Sequence, residues 1–394
     1  MTGRAHLARR PLASALCVVA ALIAVAAIAA AGRLETFDFL SPGACDRPEP
    51  GVRSADFLMG TYVVISAEGP EADPAVEEAM AVLRDIHRHL DPSAPQSDLA
   101  ALAASPGRDI PVSTHLIAVL EIADDVNRVS GGAFDPSIGP VVHLWGFDAD
   151  PGPSDGPDGG SDAGPEDGSA TRPRTAPPTA GEVTEALGLT GWHDVTWDAA
   201  RRTARLARPG MSLALGGIAK GYAVDSAAQV LAGAGVDRAV IDAGGDLYLL
   251  GTKPSGEPWR IAVRHPRAEG FLGVLELPGG TAVATSGDYE RFFVHEGRRY
   301  HHILDPSTGW PVSGVVSVTV LAPTAAEADA LATALFVLGP ERGLELAESL
   351  ERVEALMVDE AGTIHLTTGM RAVFSPELSG EDSRSGGRGG DDGD

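Results

Sequence analysis

The stretch LALGGIAKGYAVDSAAQ at residues 213–229 contains a glycine-rich turn that leads into an amphipathic segment. Gly216, Gly217 and Gly221 surround Lys220. The stretch is not a nucleotide-binding P-loop, because its spacing differs and no Ser or Thr follows the lysine where that loop would bind magnesium. These residues alone leave two interpretations open: a turn that packs a helix against a strand, or a loop whose backbone approaches a phosphate group.

The composition is that of a large, acidic globular protein. The chain has 394 residues, 44% of them hydrophobic, so it can bury a large core in one domain or in two closely packed domains. Its 55 acidic and 30 basic residues give a net charge of −25. This balance argues against a nucleic-acid partner, because such a surface needs clustered Lys and Arg. The two cysteines, Cys17 and Cys45, leave the folded part without a disulfide framework or a thiolate metal site.

The N-terminal segment has the pattern of a membrane anchor. Arg4, Arg9 and Arg10 precede an uncharged apolar run that is long enough to cross a bilayer as a helix. We therefore predict a single-pass signal anchor over residues 1–32, with its basic end in the cytoplasm and everything after it outside the membrane. The small residues 29–31 also fit a cleavage site, so a cleaved, secreted form is the alternative.

Composition also divides the rest of the chain. Residues 33–55 contain several prolines and lack apolar periodicity, which predicts a tether. The folded domain is predicted over 56–375, interrupted by a disordered acidic insertion at 148–180 that is rich in Pro, Gly, Ser and Asp. A disordered tail is predicted over 376–394.

Apolar residues recur at helical spacing in some segments of the domain and alternate in others. Ser113 or Thr114 is expected to cap one of the helices, and Gly131 to end it. Helices are predicted over 74–90, 113–132, 182–187, 220–232, 324–339 and 340–351, and strand-like segments over 57–69, 194–198, 203–207, 211–215, 237–251 and repeatedly after Trp259. Because the strands cluster and the helices occur in blocks, we predict an α+β fold with mixed or antiparallel sheets and packed helices.

A polar cluster occurs in TSGDYERFFVHEGRRYHHILDPSTGWP, residues 285–311. A hairpin here would place Asp288 near His302, and one of the adjacent His301 and His302 must point away from what the other faces. Asp305 precedes a proline and is expected to form an Asx turn. We interpret His302 as a candidate general base that titrates near neutral pH, with Asp288 as the residue that orients it or acts in its place.

Asp329 and Thr333 are four residues apart on a predicted helix and therefore lie on one face, one turn from each other. Their oxygens suit a hard cation such as Mg²⁺. The alternative is structural: an Asp that interacts with the helix dipole and a Thr that bonds back to a carbonyl. The helix alone does not decide between the two.

Seven blocks taken together are more specific than any one of them. They are MGT (59–61), FDPSIGPVVHLWGF (134–147), LGGIAKGYAVD (215–225), DAGGD (242–246), TSGDYERFF (285–293), HHILDPSTGWP (301–311) and ADALATALFVLG (328–339). In these blocks and their order, the sequence resembles the ApbE family of FAD:protein FMN transferases from about Asp56 to Gly343. The resemblance implies an ApbE-like domain outside the bacterial inner membrane that binds FAD and Mg²⁺. It would attach FMN through a phosphoester bond to a Thr or Ser of an acceptor protein, releasing AMP.

The resemblance also assigns residues. Metal ligands would be the Asp329 carboxylate, the Thr333 hydroxyl and the main-chain oxygen of Gly217, so that the glycine loop acts through close backbone approach to the metal and the diphosphate. FAD contacts would come from Met59, Ala133, Phe134, Asp135, Ala214, Lys220 and Asp288.

Two departures from the family pattern affect the expected nucleotide site. Ala214 stands where the family usually has an Asp that contacts the flavin nucleotide, and Ser93 where an aromatic residue often stacks near the adenine. The adenosine subsite is therefore expected to be altered. Two other functions stay open: an FAD-binding carrier, and an FAD pyrophosphatase that releases FMN and AMP. The acceptor is expected to be a separate, membrane-associated redox protein, because the chain has no convincing acceptor motif of its own.

Overall fold

An eight-stranded antiparallel sheet forms the centre of the domain. The computed structural model describes residues 51–148, 174–253 and 255–376, all within one compact unit. The strands are β1 (Val52–Leu58), β2 (Thr61–Glu68), β3 (Ile110–Pro111), β4 (Val195–Asp198), β5 (Thr203–Leu206), β6 (Arg238–Ala243), β7 (Asp246–Leu250), β8 (Trp259–Arg264), β9 (Phe271–Leu277), β10 (Thr281–Gly287), β11 (Phe292–His295), β12 (Arg298–His301), β13 (Val315–Ala322), β14 (Glu354–Asp359), β15 (Ile364–Leu366) and β16 (Phe374–Pro376). The central sheet has the order β1-β2-β6-β7-β10-β13-β14-β15. Three smaller sheets are β3-β5-β4, β16-β9-β8 and β11-β12.

The helices pack mainly on one face of the central sheet. They are α1 (Ala72–Leu90), α2 (Asp98–Ala103), α3 (Thr114–Ser130), α4 (Gly139–Trp145), α5 (Ala180–Leu187), α6 (Ala219–Gly233), α7 (Ala325–Ser349) and α8 (Thr368–Val373). Side chains alternate along β10: Ala282 and Ala284 join the core under the helices, whereas Val283 joins a second core with residues of β8 and β9. Both faces of the sheet centre are therefore covered, and every residue of β13 is buried.

The predicted α+β fold with antiparallel sheets is confirmed, and so are several local signals. The Ser113 hydroxyl accepts a hydrogen bond from the Leu116 amide at the start of α3, and Gly131 ends this helix in the left-handed conformation. The two helices predicted over 324–339 and 340–351 are the two helical segments of α7, which meet at Gly339, where the backbone leaves the helical conformation (φ +78°, ψ 174°). Pro340 starts the second segment, where a missing backbone donor and a fixed φ suit the first position of a helix.

Three sequence-based boundaries differ from the structure. The first strand begins at Val52, inside the predicted tether 33–55, because it pairs with β2 from Val52 opposite Ala67 onward. The single strand predicted over 57–69 is two strands joined by a turn at Met59 and Gly60, both with positive φ. Residues 211–215 form no strand; this segment is instead an irregular connection packed against 136–139.

The predicted anchor at 1–32, most of the tether and of the acidic insertion, and the tail lie outside the described residues. Within the described ranges, no helix combines the length and apolar character that a membrane crossing requires. The chain enters and leaves the insertion beside β11. The Phe147 carbonyl accepts a hydrogen bond from Arg291 Nη1 (3.2 Å), and the Thr175 carbonyl lies 3.1 Å from His295 Nδ1.

Asp225 on α6 caps the N-terminus of α7. Its two carboxylate oxygens accept hydrogen bonds from the amides of Ala325 (2.7 Å) and Ala326 (2.9 Å). Burial raises the pKa of Asp225 to about 6, and these two hydrogen bonds only partly oppose that rise. The cap thus joins α6 to α7, the two helices that carry the candidate site.

The raised pKa of Asp225 predicts a pH dependence of stability. Because the folded-state pKa lies above the unfolded-state value, the folded protein binds more protons between about pH 4 and pH 6, and its stability falls as the pH rises through this window. Relative to an Asp225→Asn variant, the wild type is expected to lose on the order of 2 kcal/mol of unfolding free energy between pH 4 and pH 7. Urea unfolding of both proteins across this range measures the difference. The prediction would be contradicted if the unfolding free energy of the wild type, relative to that of the variant, stayed constant or increased with pH.

Candidate functional site

The three residues predicted to bind metal lie together where the glycine loop meets α7. Asp329 is buried at 3% exposure, and Thr333 follows one helical turn later. A Cβ placed on Gly217 would lie only 2.7 Å from Thr333 Oγ1, so the loop backbone is next to this hydroxyl. Ser286 on β10 brings a further hydroxyl to 3.5 Å from Thr333 Oγ1. The arrangement gathers a carboxylate, two hydroxyls and loop backbone in one place.

This donor set fits a hard cation. Mg²⁺ prefers oxygen ligands and usually takes only a few from the protein, with waters and phosphate oxygens completing the shell. The close approach at Gly217 is consistent with this, because a side chain there would fill the space beside Thr333. Within the described ranges, no group of three or more His, Cys, Asp and Glu side chains is arranged to hold a metal. The donor set at Asp329 differs from such a cluster because it combines one carboxylate with neutral hydroxyl and backbone oxygens.

Lys220 occupies the space between two buried carboxylates. Its ammonium lies 2.5 Å from Asp246 Oδ2 and 3.1 Å from Asp329 Oδ2, and Asp329 Oδ2 also accepts the Gly221 amide at 3.3 Å. Burial lowers the pKa of Lys220, but the two carboxylates outweigh this and raise it above its usual range. Lys220 is therefore a fixed positive charge beside the candidate metal ligand.

Opposing electrostatic effects act on the pKa of Asp246. Burial and repulsion from Asp329 raise its pKa, while the Lys220 ammonium opposes the rise. The sequence singled out Asp246 only as part of the DAGGD block and did not assign it to the site. Its partner lies 26 residues away along the chain, so only the fold reveals the contact.

The close packing of α6 on α7 aligns the lysine with the carboxylate. A Cβ on Gly221 would lie 2.1 Å from the carbonyl oxygen of Ala325, so the two helix backbones are in direct contact there. Gly221 is therefore required by packing, which was one of the two interpretations open for the glycine-rich stretch. A Cβ on Gly216, in contrast, would meet nothing within 4 Å, because this residue faces open space.

Two glycine turns lie side by side at one end of the sheet. Met59 and Gly60 join β1 to β2, and Gly244 and Gly245 join β6 to β7, all with positive φ as two-residue hairpin turns require. A Cβ on Gly244 would lie 2.3 Å from Thr61 Oγ1, so the two turns touch. Met59 is therefore placed at the same end of the sheet as the DAGGD turn.

Phe134, one of the residues predicted to contact FAD, lies against the glycine loop. Phe134 Cε2 would be 3.4 Å from a Cβ on Gly217, and the Ala214 amide donates to the Pro136 carbonyl at 2.8 Å. Ala133 and Phe134 are both buried. The Asp135 side chain caps a short 3-10 helix over Pro136–Ile138.

Asp288 does not contact His302. The Arg267 guanidinium holds the Asp288 carboxylate with two hydrogen bonds of 2.7 and 2.5 Å, and Arg299 adds a third at 3.2 Å. The hypothesis that Asp288 orients His302 is therefore not supported by the geometry. Arg267 comes from the β8–β9 connection, which sequence spacing could not place beside residue 288.

The two adjacent histidines have different environments, as strand alternation predicted. His301 is buried, its Nε2 lies 2.8 Å from the Val312 carbonyl, and its Nδ1 accepts the Ile303 amide at 3.3 Å. Both nitrogens of His301 are thus engaged. His302 Nδ1 lies 3.2 Å from the Arg291 carbonyl. Because a carbonyl only accepts, Nδ1 carries the proton and Nε2 of the neutral ring keeps its lone pair.

The protonation of His302 differs from the sequence-based expectation. Burial and the nearby Arg291 charge lower the pKa of His302 to about 3. The ring is therefore neutral at pH 7, which differs from the expectation of a histidine that titrates near neutrality. A neutral ring with a free Nε2 lone pair is nevertheless able to accept a proton.

An aromatic cluster connects the block before the insertion to the hairpin that carries the histidines. Trp145 is fully buried, stacks with Tyr300 and donates from Nε1 to the Gly309 carbonyl at 2.8 Å. The turn that positions Gly309 contains the predicted Asx motif: Asp305 Oδ1 accepts from the Ser307 amide at 2.8 Å. This cluster explains why two blocks far apart in sequence belong to one site.

The comparisons with known proteins agree with this fold and with the family that the sequence resembles. The model of the ApbE family matches residues 59–357, and the chain therefore belongs to the ApbE family. It is 37% identical over 333 residues to a FAD:protein FMN transferase of Rhodobacter capsulatus, covering 82% of this chain and 58% of that relative. It is 31% identical over 321 residues to a protein of the same name from Haemophilus influenzae, covering 78% of this chain and 87% of the relative.

Solved structures show the same relationship. The crystal structure of an ApbE protein from Thermotoga maritima superimposes with a TM-score of 0.70 at 32% identity, covering 82% of this chain and 99% of that one. The flavin transferase ApbE from Vibrio cholerae gives a TM-score of 0.70 at 30% identity, covering 83% and 100% of the two chains. The predicted family and the predicted class of enzyme, a flavin transferase, are confirmed.

Proposed function

We propose that this chain is a magnesium-dependent FAD:protein FMN transferase. It transfers the FMN part of FAD to a Thr or Ser hydroxyl of an acceptor protein, forms a phosphoester bond and releases AMP. The convergence of Gly217, Asp329 and Thr333, with Lys220 beside them, is the observation that carries the proposal. Relatives named FAD:protein FMN transferase support the choice of reaction.

The residues divide into those that hold the diphosphate and those that hold the flavin nucleotide. The Asp329 carboxylate, the Thr333 hydroxyl and the main-chain oxygen of Gly217 would hold Mg²⁺, which when bound neutralises charge on the diphosphate during transfer. The Lys220 ammonium adds a positive charge in the same place. Contacts to FAD are assigned to Met59, Ala133, Phe134, Asp135, Ala214, Lys220 and Asp288.

Proton transfer is assigned to His302. The acceptor oxygen forms a bond to the phosphorus of the FMN half, the bond from that phosphorus to the bridging oxygen breaks, and AMP leaves with this oxygen. The proton of the acceptor hydroxyl goes to His302 Nε2, whose lone pair is free because Nδ1 is bonded to the Arg291 carbonyl. Asp288 is the alternative base, but its oxygens are taken up by Arg267 and Arg299, which suits it to holding these arginines in place.

A transfer assay tests the reaction and separates it from the alternatives. The full chain is incubated with FAD, Mg²⁺ and a flavinylatable acceptor domain, and the products are separated under denaturing conditions. Flavin fluorescence that stays with the acceptor supports transfer. Free FMN and AMP with an unlabelled acceptor would instead identify a pyrophosphatase, and unchanged FAD a carrier.

The low pKa of His302 predicts the pH profile of transfer. Because the pKa is about 3, the ring stays unprotonated and able to accept a proton throughout pH 5–8. The initial transfer rate of the wild type is therefore expected not to fall through protonation of His302 anywhere in this range. The pH dependence of the wild type and of a His302→Gln variant is expected to have the same shape. A rate that falls near pH 6.5 in the wild type, but not in the variant, would show that the histidine titrates at its ordinary pKa.

We also propose that residues 1–32 anchor the enzyme in the cell membrane, with the domain outside and the acceptor membrane-associated. The apolar run behind a basic N-terminus supports this. Protease added to intact spheroplasts is expected to digest the domain while the chain fractionates with membranes. Mass spectrometry of the mature chain distinguishes an uncleaved anchor from the secreted form.

A further inference from the structure

Asp246 is a buried carboxylate to which the proposed mechanism gives no role. We propose that Asp246 is a positioning residue: it holds Lys220 against Asp329 and supplies the negative charge that lets an ammonium and a divalent cation share the Asp329 carboxylate. The inference rests on the proposed magnesium site and deepens it.

The geometry makes Asp246 the nearest charged partner of Lys220. The ammonium is 2.5 Å from Asp246 Oδ2 and is 3.1 and 3.2 Å from the two Asp329 oxygens. Asp246 and Asp329 are 2% and 3% exposed, so water screens these charges little. Removing Asp246 would leave Lys220 bonded to the carboxylate that is needed for the metal.

The charges of the group show why a second carboxylate is needed. Lys220 neutralises the single negative charge of Asp329, so a divalent cation arriving at Asp329 would meet an ammonium about 3 Å from the same carboxylate. An ionised Asp246, which the Lys220 ammonium at 2.5 Å stabilises, leaves the group of three side chains with one net negative charge before the metal arrives. Asp246 therefore reduces the repulsion between the two cations without removing either.

The backbone fixes the position of Asp246 tightly. It is the first residue of β7 and directly follows the turn formed by Gly244 and Gly245. Contact with Thr61 restrains Gly244, and Asp242 accepts the Gly245 amide at 2.8 Å. Folding alone does not require charges here, because apolar residues in place of a buried ion pair are often neutral or stabilising. A charged pair at this position points to a role in the site.

A titration of the full chain with Mn²⁺, followed by electron paramagnetic resonance without flavin or acceptor, tests the inference separately from activity. Asp246→Asn is expected to weaken Mn²⁺ binding roughly tenfold or more, a factor that corresponds to about 1.4 kcal/mol. The double variant Lys220→Met, Asp246→Asn has the same net charge in the group as the wild type. Its affinity is expected to return to within roughly threefold of the wild-type value, a difference well below one factor of ten.

Asp242→Asn is the matched control, because it removes the same charge from the same turn without touching Lys220. It is expected to change Mn²⁺ affinity by less than roughly threefold. Equal affinities of the Asp246→Asn and wild-type proteins, or equal losses in the Asp246→Asn and Asp242→Asn variants, would overturn the inference. Thermal unfolding of each variant checks that it folds. If Asp246→Asn alone does not fold, the double variant decides: an Mn²⁺ affinity much weaker than that of the wild type would also overturn the inference.

Asp329→Ala in the same titration distinguishes this inference from the proposed metal site. Loss of binding in Asp329→Ala together with unchanged binding in Asp246→Asn would reject the role of Asp246 and retain the site. A wild-type protein that binds no Mn²⁺, or an Asp329→Ala variant that binds it normally, would reject the site and the inference with it.

Discussion

Asp329→Ala is expected to lower the rate of magnesium-dependent FMN transfer by roughly 10³-fold, the size of effect seen when one preorganised electrostatic contact is removed from an active site. Asp329 is the one carboxylate in the proposed donor set, and it is buried beside Lys220. Its loss removes the only full negative charge among the proposed ligands and leaves the lysine bonded to Asp246. The transfer assay with saturating FAD, repeated over a range of Mg²⁺ concentrations, measures the change.

Two further variants make this expectation specific. Glu327→Ala removes a half-buried carboxylate from the same helix two residues earlier, outside the proposed donor set, and is expected to change the rate by less than roughly threefold. Thr333→Val keeps the side-chain shape but loses the hydroxyl, and is expected to raise the Mg²⁺ concentration needed for half-maximal rate. Full transfer activity of the Asp329→Ala variant would contradict the assignment of Asp329 as a metal ligand.

Gly221→Ala is expected to destabilise the domain by about 3 kcal/mol or more, because the added methyl group would overlap backbone atoms that cannot move aside independently. Its Cβ would lie 2.1 Å from the carbonyl oxygen and 2.4 Å from the carbonyl carbon of Ala325. Relief requires α6 and α7 to separate, which would also strain the hydrogen bonds of the Asp225 cap. Urea unfolding followed by circular dichroism measures the loss.

Gly233→Ala is the matched control for this prediction. Gly233 is the last residue of the same helix, and a Cβ there meets nothing within 4 Å. Alanine is expected to leave stability unchanged or raise it by up to about 1 kcal/mol through its higher helix propensity. If Gly221→Ala and Gly233→Ala unfold at the same urea concentration, the helices are not in the close contact described.

The sequence predicted features that depend on near neighbours. Ser113 and Gly131 bound α3 because a cap and a left-handed glycine act over one helical turn. The hairpin of β11 and β12 was likewise predictable from alternation around a short turn. Asp329 and Thr333 were recognisable as a pair because the helix period alone places them on one face.

Contacts between distant segments were not predictable in the same way. The Lys220–Asp329 contact spans 109 residues, and the Lys220–Asp246 contact depends on where β7 begins. Asp288 was expected beside His302 because both belong to one short polar region, but an arginine from another hairpin occupies its carboxylate. The start of the domain was placed too late because Arg53 and Asp56 obscure the alternation of β1, which only its pairing with β2 reveals.

The chain leaves the domain after Phe147 and returns near Thr175, and both points are hydrogen-bonded to residues of β11 or its flank. Because departure and return are both hydrogen-bonded beside one short strand, the two ends of a module inserted between them would be held near each other, and each doubling of the length of a flexible inserted linker would cost only about 0.6 kcal/mol of closure entropy. This position is therefore suited to accept a fluorescent reporter or an affinity module in protein engineering, while the sheet and the catalytic groups keep their places.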